Sequence, residues 1–255
     1  MNKEDLSIIL VGKLKETALC QLDYYKGIAK VIISCWDDDD LSILDKYDTS
    51  GVEIVVNDSN LPSHAEFGSS YYQAVTANGA LERVNTLYTI KIRLDESFGN
   101  VQPLIDLMEA FPQKIIFGSP HFSKVAEHYH AGDHYYGCRS ETMKTGISIL
   151  KKNLEDGFPE GCLFNNKDFK QISSSEQLVT RAMFYANGER DFSVESAREV
   201  MIRNCDVCKI KKLGSVHYTE TNTLGTIYFA NGTIHNEGYS PCWQESNFES
   251  IEEII

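Results

Sequence analysis

LYTIKIRLDE, residues 87–96, decides how the chain is read. In an extended segment successive side chains alternate between faces. Ile90, Ile92 and Leu94 therefore share one face, and Lys91, Arg93 and Asp95 the other. The apolar set reads as a strand seated on a core. The charged set reads either as plain half-buried alternation or as a polar site at the strand's end, and its surroundings have to decide.

Upstream, strands and helices alternate. LSIILVG, 6–12, is a continuous apolar run closed by Gly12, the pattern of a buried parallel strand. KETALCQLDYYKGIAK, 15–30, has helical spacing at Leu19, Leu22 and Tyr25. VIISCW, 31–36, is a second strand stopped by the acidic run Asp37–Asp40, and LSILDKY, 41–47, a short helix. VEIVV, 52–56, is a third strand, ended by the turn residues NDSNLP. GSSYYQAVTANGALERV, 68–84, is a helix with Gly79 inside it, leading into the opening stretch as a fourth strand.

Such an alternation predicts an α/β fold: a mostly parallel sheet with helices on both faces. Ligands of these sheets bind outside the carboxyl ends of the strands. Lys91, Arg93 and Asp95 fall at such an end, which favours the polar-site reading.

Beyond residue 100 the spacing predicts a helix at 101–111 and a strand at KIIFG, 114–118. HYHAGDHYYGC, 128–138, reads as a further strand containing Gly132, followed by a helix from Ser140, its N-cap. Serine-capped helices are predicted in 173–186 and 193–204. Short strands are predicted at VCKIKKL, SVHYTE and GTIYFANG. No repeat or low-complexity tract interrupts the chain.

The formal charge of −13 over 255 residues disfavours a nucleic-acid surface, which would need a basic stripe. A small phosphorylated ligand needs only a local cradle. No apolar run is long enough to cross a bilayer, and the expected location is the cytoplasm or the periphery of a membrane. The seven cysteines read as free thiols. Cys205 and Cys208 would need His217, His235 or Cys242 to complete a zinc site, and two unrelated thiols are the simpler reading. Glycine-rich dinucleotide and phosphate-loop fingerprints and GxSxG are absent from the sequence.

Three places could carry chemistry. Asp95, with Glu96 beside it, offers carboxylate oxygens to a hard cation. Arg93 could grip a phosphate with its planar fork and Lys91 add a point charge; the plain alternative is an ion pair between Arg93 and Asp95 or Glu96. His128, His130, Asp133 and His134 cluster within HYHAGDHYYG. There Asp133 could serve as a general base with a histidine, His134, as metal ligand, or the histidines could form a metallohydrolase site. Glu160, after Pro159, is a third candidate, either near an acceptor or merely favouring a helix start.

The ordered stretches SIILVGKL, VIISCWDD, VVNDSN, YYQAVTANGAL, YTIKIRLDE, YHAGDHYYGC and PEGCLF resemble the WavE lipopolysaccharide-synthesis family, a group assigned to glycosyl transfer. The likeness spans roughly residues 5–170 in order. It implies a GT-A-like nucleotide-diphospho-sugar fold, with a glycosyltransferase domain at 1–205, and a C-terminal extension at 206–255 packed on it. The nucleotide-binding half would be 1–100 and the acceptor and catalytic half 101–205. It places the nucleotide-diphosphate sugar near Gly12, Lys13, Asp58 and Gln73, with a divalent metal (manganese or magnesium) at Asp95. In that fold a D-x-D segment holds metal and diphosphate; here it is Arg93-Leu94-Asp95, with arginine in the first acidic place. SSYYQ likewise stands where the family tends to an Asn-Arg-Gln-like stretch.

The leading expectation is a glycosyltransferase passing a sugar to a glycan or glycolipid acceptor, with Asp95 on metal, Lys91 and Arg93 on the diphosphate, and Asp133 as base. The alternatives are a metal-dependent hydrolase built on His128, His130 and His134, and a non-catalytic relative that only binds.

Overall fold

The computed structural model describes residues 1–60, 68–119, 131, 134–158, 164, 175–193, 195–209, 215–217, 227–228 and 234–235. The described core is an α/β sandwich around a seven-stranded sheet. Strands β1 (Leu6–Val11), β2 (Lys30–Trp36), β3 (Val52–Asn57) and β4 (Tyr88–Arg93) are parallel and lie side by side in the order β3-β2-β1-β4. β1 is buried along its whole length, as its unbroken apolar run requires.

The connections explain the layers. From β1 the chain runs outward through α1 (Glu16–Leu19) and α2 (Leu22–Ile28) to β2 and then β3. From β3 it returns over α3 (Gly68–Leu81) to β4, on the far side of β1. Crossovers of one hand that run in opposite directions must lie on opposite faces. Accordingly Leu19, Leu22 and Tyr25 pack with Leu6, Ile8, Leu10, Ile90, Ile92 and Leu94. Ala74, Ala77 and Ala80 of α3 pack with Ile9, Val11 and Ile32. The alternation expected at 90–94 is thus realised, with the even-numbered residues in one core.

Next to β4 stands β7 (Tyr135–Arg139), antiparallel to it, then β6 (Ile115–Ser119) and β8 (Cys205–Lys209). α4 (Gln102–Ala110) joins the α1/α2 layer through Leu104, Ile105 and Met108. α5 (Ser140–Glu155), α6 (Ser175–Ala186) and α7 (Ala197–Asn204) join the α3 layer. A second, four-stranded sheet begins at β5 (Glu96–Phe98), which pairs with β9 (Ser215–His217), followed by β10 (Ile227–Tyr228) and β11 (Ile234–His235).

Several local expectations change. The helix expected over 15–30 is two helices, broken at Cys20 and Gln21. Ser140 is the first helical residue rather than the cap, and its hydroxyl bonds Thr89 at 2.7 Å. β5 has no counterpart in the sequence reading, being only three residues long. The helix expected within 193–204 begins only at Ala197, and Ser196 before it does not cap it with its side chain; it meets Ser193 instead. Cys205 and Cys208 lie in opposite cores, because residues three apart on a strand face opposite ways. That geometry fits two unrelated thiols.

Gly79 has a tertiary reason. A Cβ there would stand 2.6 Å from Asn57 Oδ1 and 3.3 Å from Val55, so its lack of a side chain lets α3 settle on the end of β3.

Candidate functional site

The order β3-β2-β1-β4 reverses its sense between β1 and β4: the chain leaves β1 toward β2 on one side and reaches β4 on the other. The carboxyl edge at such a reversal is the usual ligand position in open α/β sheets. Val11 O accepts from Leu94 N at 3.0 Å, and Gly12 N donates to Ser34 O at 3.1 Å. Gly12 and the Arg93–Asp95 segment therefore flank the same point. Gly12 has φ of 115°, which an L side chain rarely adopts.

At the end of β4 the Arg93 guanidinium clasps Asp95: Nε donates to Oδ1 at 2.8 Å and Nη2 to Oδ2 at 2.6 Å. The two side chains are 31% and 18% exposed, so the pair faces the rim without being fully solvated. Two residues earlier Lys91 is completely buried. Its ammonium donates to His134 O at 3.4 Å and lies over the Tyr136 ring at 5.4 Å from the centroid. Lys91 sits beneath the rim rather than on it. A buried ammonium is tolerated only where polar groups receive it.

His134 immediately precedes β7, whose antiparallel pairing sets Tyr135 opposite Ile92. Its Nδ1 is bonded to Glu96 Oε1, and both side chains are buried. Sequence reasoning weighs Glu96 as a neighbour of Asp95 or a partner of Arg93; its pairing with a residue 38 positions away has no local signal.

The nucleotide candidates spread along the same rim. Lys13 is exposed after Gly12, Asp58 is exposed after β3, and Gln73 is half-buried on α3. Asp58 Oδ1 accepts from Asn60 N at 2.8 Å, a local turn bond. Tyr72 stands edge-on to Trp36 at 5.3 Å, placing an exposed aromatic by the ends of β2 and β3. Asp39, legible in the sequence only as part of an acidic stop, ties the rim together. Its Oδ2 accepts from Leu14 N at 3.0 Å and Trp36 N at 2.9 Å, fastening the β1 loop to the end of β2. Asp37 fastens β2 to the β3 loop by accepting from Ser59 N at 2.9 Å, and these bonds hold its carboxyl below the usual range.

Asp133, Glu160, His128 and His130 lie outside the described residues. Of the residues expected to meet a metal, Asp95 has both oxygens on a guanidinium and His134 has Nδ1 on Glu96. Among the described residues no three His, Cys, Asp or Glu side chains converge. As they stand, these groups do not fit a divalent ion at Asp95.

No family model matches the chain, and no curated protein matches it. What the described structure defines is a class: an α/β protein with a mixed, mostly parallel sheet and a charged segment where the strand order reverses. Among the described residues no helix is long and apolar enough to cross a membrane.

Proposed function

We propose that the chain is a glycosyltransferase of GT-A-like fold that moves a sugar from a nucleotide-diphosphate donor to a glycan or glycolipid acceptor. The observation that supports this most is the charged segment Arg93–Asp95 beside Gly12 at the switch point, where a diphosphate has the Arg93 guanidinium and the open space over Gly12 to meet. In this reading Gly12, Lys13, Asp58 and Gln73 border the nucleoside, and Arg93 receives the diphosphate. Lys91, under the rim, adds to the positive field there.

The acceptor hydroxyl is a poor nucleophile until it loses its proton. Asp133 takes that proton as the acceptor oxygen attacks the anomeric carbon. The bond from that carbon to the diphosphate oxygen breaks, and the nucleoside diphosphate departs with the electron pair. Glu160 is the second carboxylate assigned to the acceptor side.

The test is a thermal-shift screen of nucleoside diphosphates and their sugar conjugates, with and without manganese or magnesium, followed by turnover of any hit. Ligand at about 100 times its Kd stabilises the native state by about 2.7 kcal/mol, a readily seen shift. Asp133→Asn should cut transfer by roughly 100-fold or more while leaving donor binding intact. A chain that binds no nucleotide sugar under any condition is not this enzyme. One that binds selectively without turnover is the non-catalytic relative.

A further inference from the structure

We infer that β3, at one edge of the seven-stranded sheet, is the surface on which a second copy of this chain docks, strand to strand and antiparallel, about a twofold axis through Val55. The inference is independent of the transferase reading.

Among the described residues β3 pairs with one strand, β2, in unbroken register from Val31–Val52 to Trp36–Asn57. Asp37 N donates to Asn57 O at 2.9 Å. Along a strand the backbone groups of successive residues alternate in direction. Glu53, Val55 and Asn57 therefore turn theirs to β2, while Ile54 and Val56 turn theirs away from the sheet. The same two side chains are 38% and 46% exposed. Open edges are commonly guarded by lysine, proline or a bulge. VEIVVN has none of these, and its one charged residue, Glu53, is ion-paired with Arg83 at 3.6 Å. At the opposite edge β8 keeps Cys205, Val207 and Cys208 buried.

The strand is complementary to itself. With the axis at Val55, Ile54 stands opposite the partner's Val56, and Val56 opposite the partner's Ile54. Each pair exchanges two N–H···O bonds and brings two aliphatic side chains together on one face. On the other face Glu53 falls opposite the partner's Asn57, so no carboxylate meets another. Sliding the register to set Ile54 opposite itself draws on Val52 N, which already donates to Thr49 O at 3.0 Å. The strand ends agree. Asp37, Asp38 and Asp58 are exposed at the carboxyl end, whereas the amino end carries Lys30 and Arg83, ion-paired with Glu4 and Glu53. Antiparallel pairing keeps the two acidic ends about 20 Å apart. A parallel partner strand sets them side by side, on a chain of formal charge −13. A twofold pair also uses up both β3 edges, so the assembly closes as a dimer.

Sedimentation velocity over about a hundredfold range of concentration tests this, and the mass should rise from 28.8 kDa toward twice that value. Over the same range hydrogen exchange at the Ile54 and Val56 amides should slow by about tenfold or more, with Glu53 and Val55 unchanged. Ile54→Lys and Val56→Glu should each weaken the dimer by about tenfold or more, because each alters both cross-strand pairs. The two changes in one chain set lysine opposite glutamate twice and should restore it. Both positions are exposed, so the fold bears the changes, and the wild-type exchange measurement stands without them. A mass of 28.8 kDa at every concentration overturns the inference. So does a dimer that leaves exchange at Ile54 and Val56 unaltered, or one that neither single variant weakens. Loss in the single variants without recovery in the double overturns the axis at Val55.

Discussion

Gly118 shows how a single missing side chain makes room for a ring from the neighbouring strand. A Cβ at that position would stand 2.0 Å from the Tyr135 ring. The ring has little freedom to withdraw, since its hydroxyl donates to Cys208 O at 3.1 Å and it packs on Phe98 at 4.5 Å between centroids. Overpacking a well-filled core costs roughly 1–3 kcal/mol, and the upper part of that range is expected for Gly118→Ala. Urea denaturation reads the loss directly; an unchanged midpoint would mean that Tyr135 moves aside. In the sequence this glycine ends KIIFG and looks like a strand terminator. Its actual role depends on a ring 17 positions later, which no local pattern encodes. Cys35 illustrates the same point in chemistry, with burial and then the charge of Asp39 pushing its thiol up to about 11. It is an unreactive core residue at neutral pH.

At the scale of elements, Glu189, just after α6, fastens the end of α7. Arg203 and Asn204 of α7 both donate to Glu189 Oε2, while the backbone N–H groups of Arg190 and Asp191 donate to Oε1. Burial alone would raise this carboxyl, but the hydrogen bonds outweigh it and hold the pKa at about 2, against an ordinary value of 4.5. A folded-state pKa below the unfolded one stabilises the fold above the unfolded value, and the contribution is lost as pH falls through the folded value. Stability from Glu189 is therefore complete above about pH 4.5 and disappears toward pH 2. Arg203 is 60% exposed, so solvent screens part of the pairing and leaves a contribution on the order of 1–2 kcal/mol. Glu189→Gln should lower stability at pH 7 and flatten its dependence between pH 4.5 and 2, measured by thermal melts across that interval. A parallel offset at every pH would show that the carboxylate's charge is not what matters. Elements were largely legible: the helices at 102–110, 140–155 and 197–204 follow from periodicity of their apolar residues. The break at Cys20 and the three-residue β5 were not, because segments so short carry too few residues for a period to show.

Across the whole molecule, the two sheets meet at the rim through His134 and Glu96. β4 ends at Arg93 in the seven-stranded sheet, and Glu96 already belongs to the four-stranded one. His134, at the entry to β7, reaches across to Glu96, while its carbonyl holds Lys91 of β4. Removing one partner of a buried pair leaves the other uncompensated. Glu96→Ala should thus loosen the joint. Hydrogen exchange at Glu96–Phe98 should accelerate by about tenfold or more while β1 and β4 stay protected, since local opening draws on the least stable unit first. Equal acceleration throughout the chain would place the pair in the global fold instead of the joint.

The amino-acid sequence by itself determined the order of elements from β1 to β4 and the position of a charged segment at a strand's carboxyl end. Both follow from residues close in the chain: runs of apolar side chains, helical spacing, and turn residues between them. Only the tertiary structure decided that β7 runs against β4, that Lys91 is buried beneath the rim, that Arg93 is already clasped to Asp95, and that Glu96 meets His134. Strand direction and the pairing of distant charges are set by which surfaces come together on folding, and that is a property of the packed chain, not of any window within it.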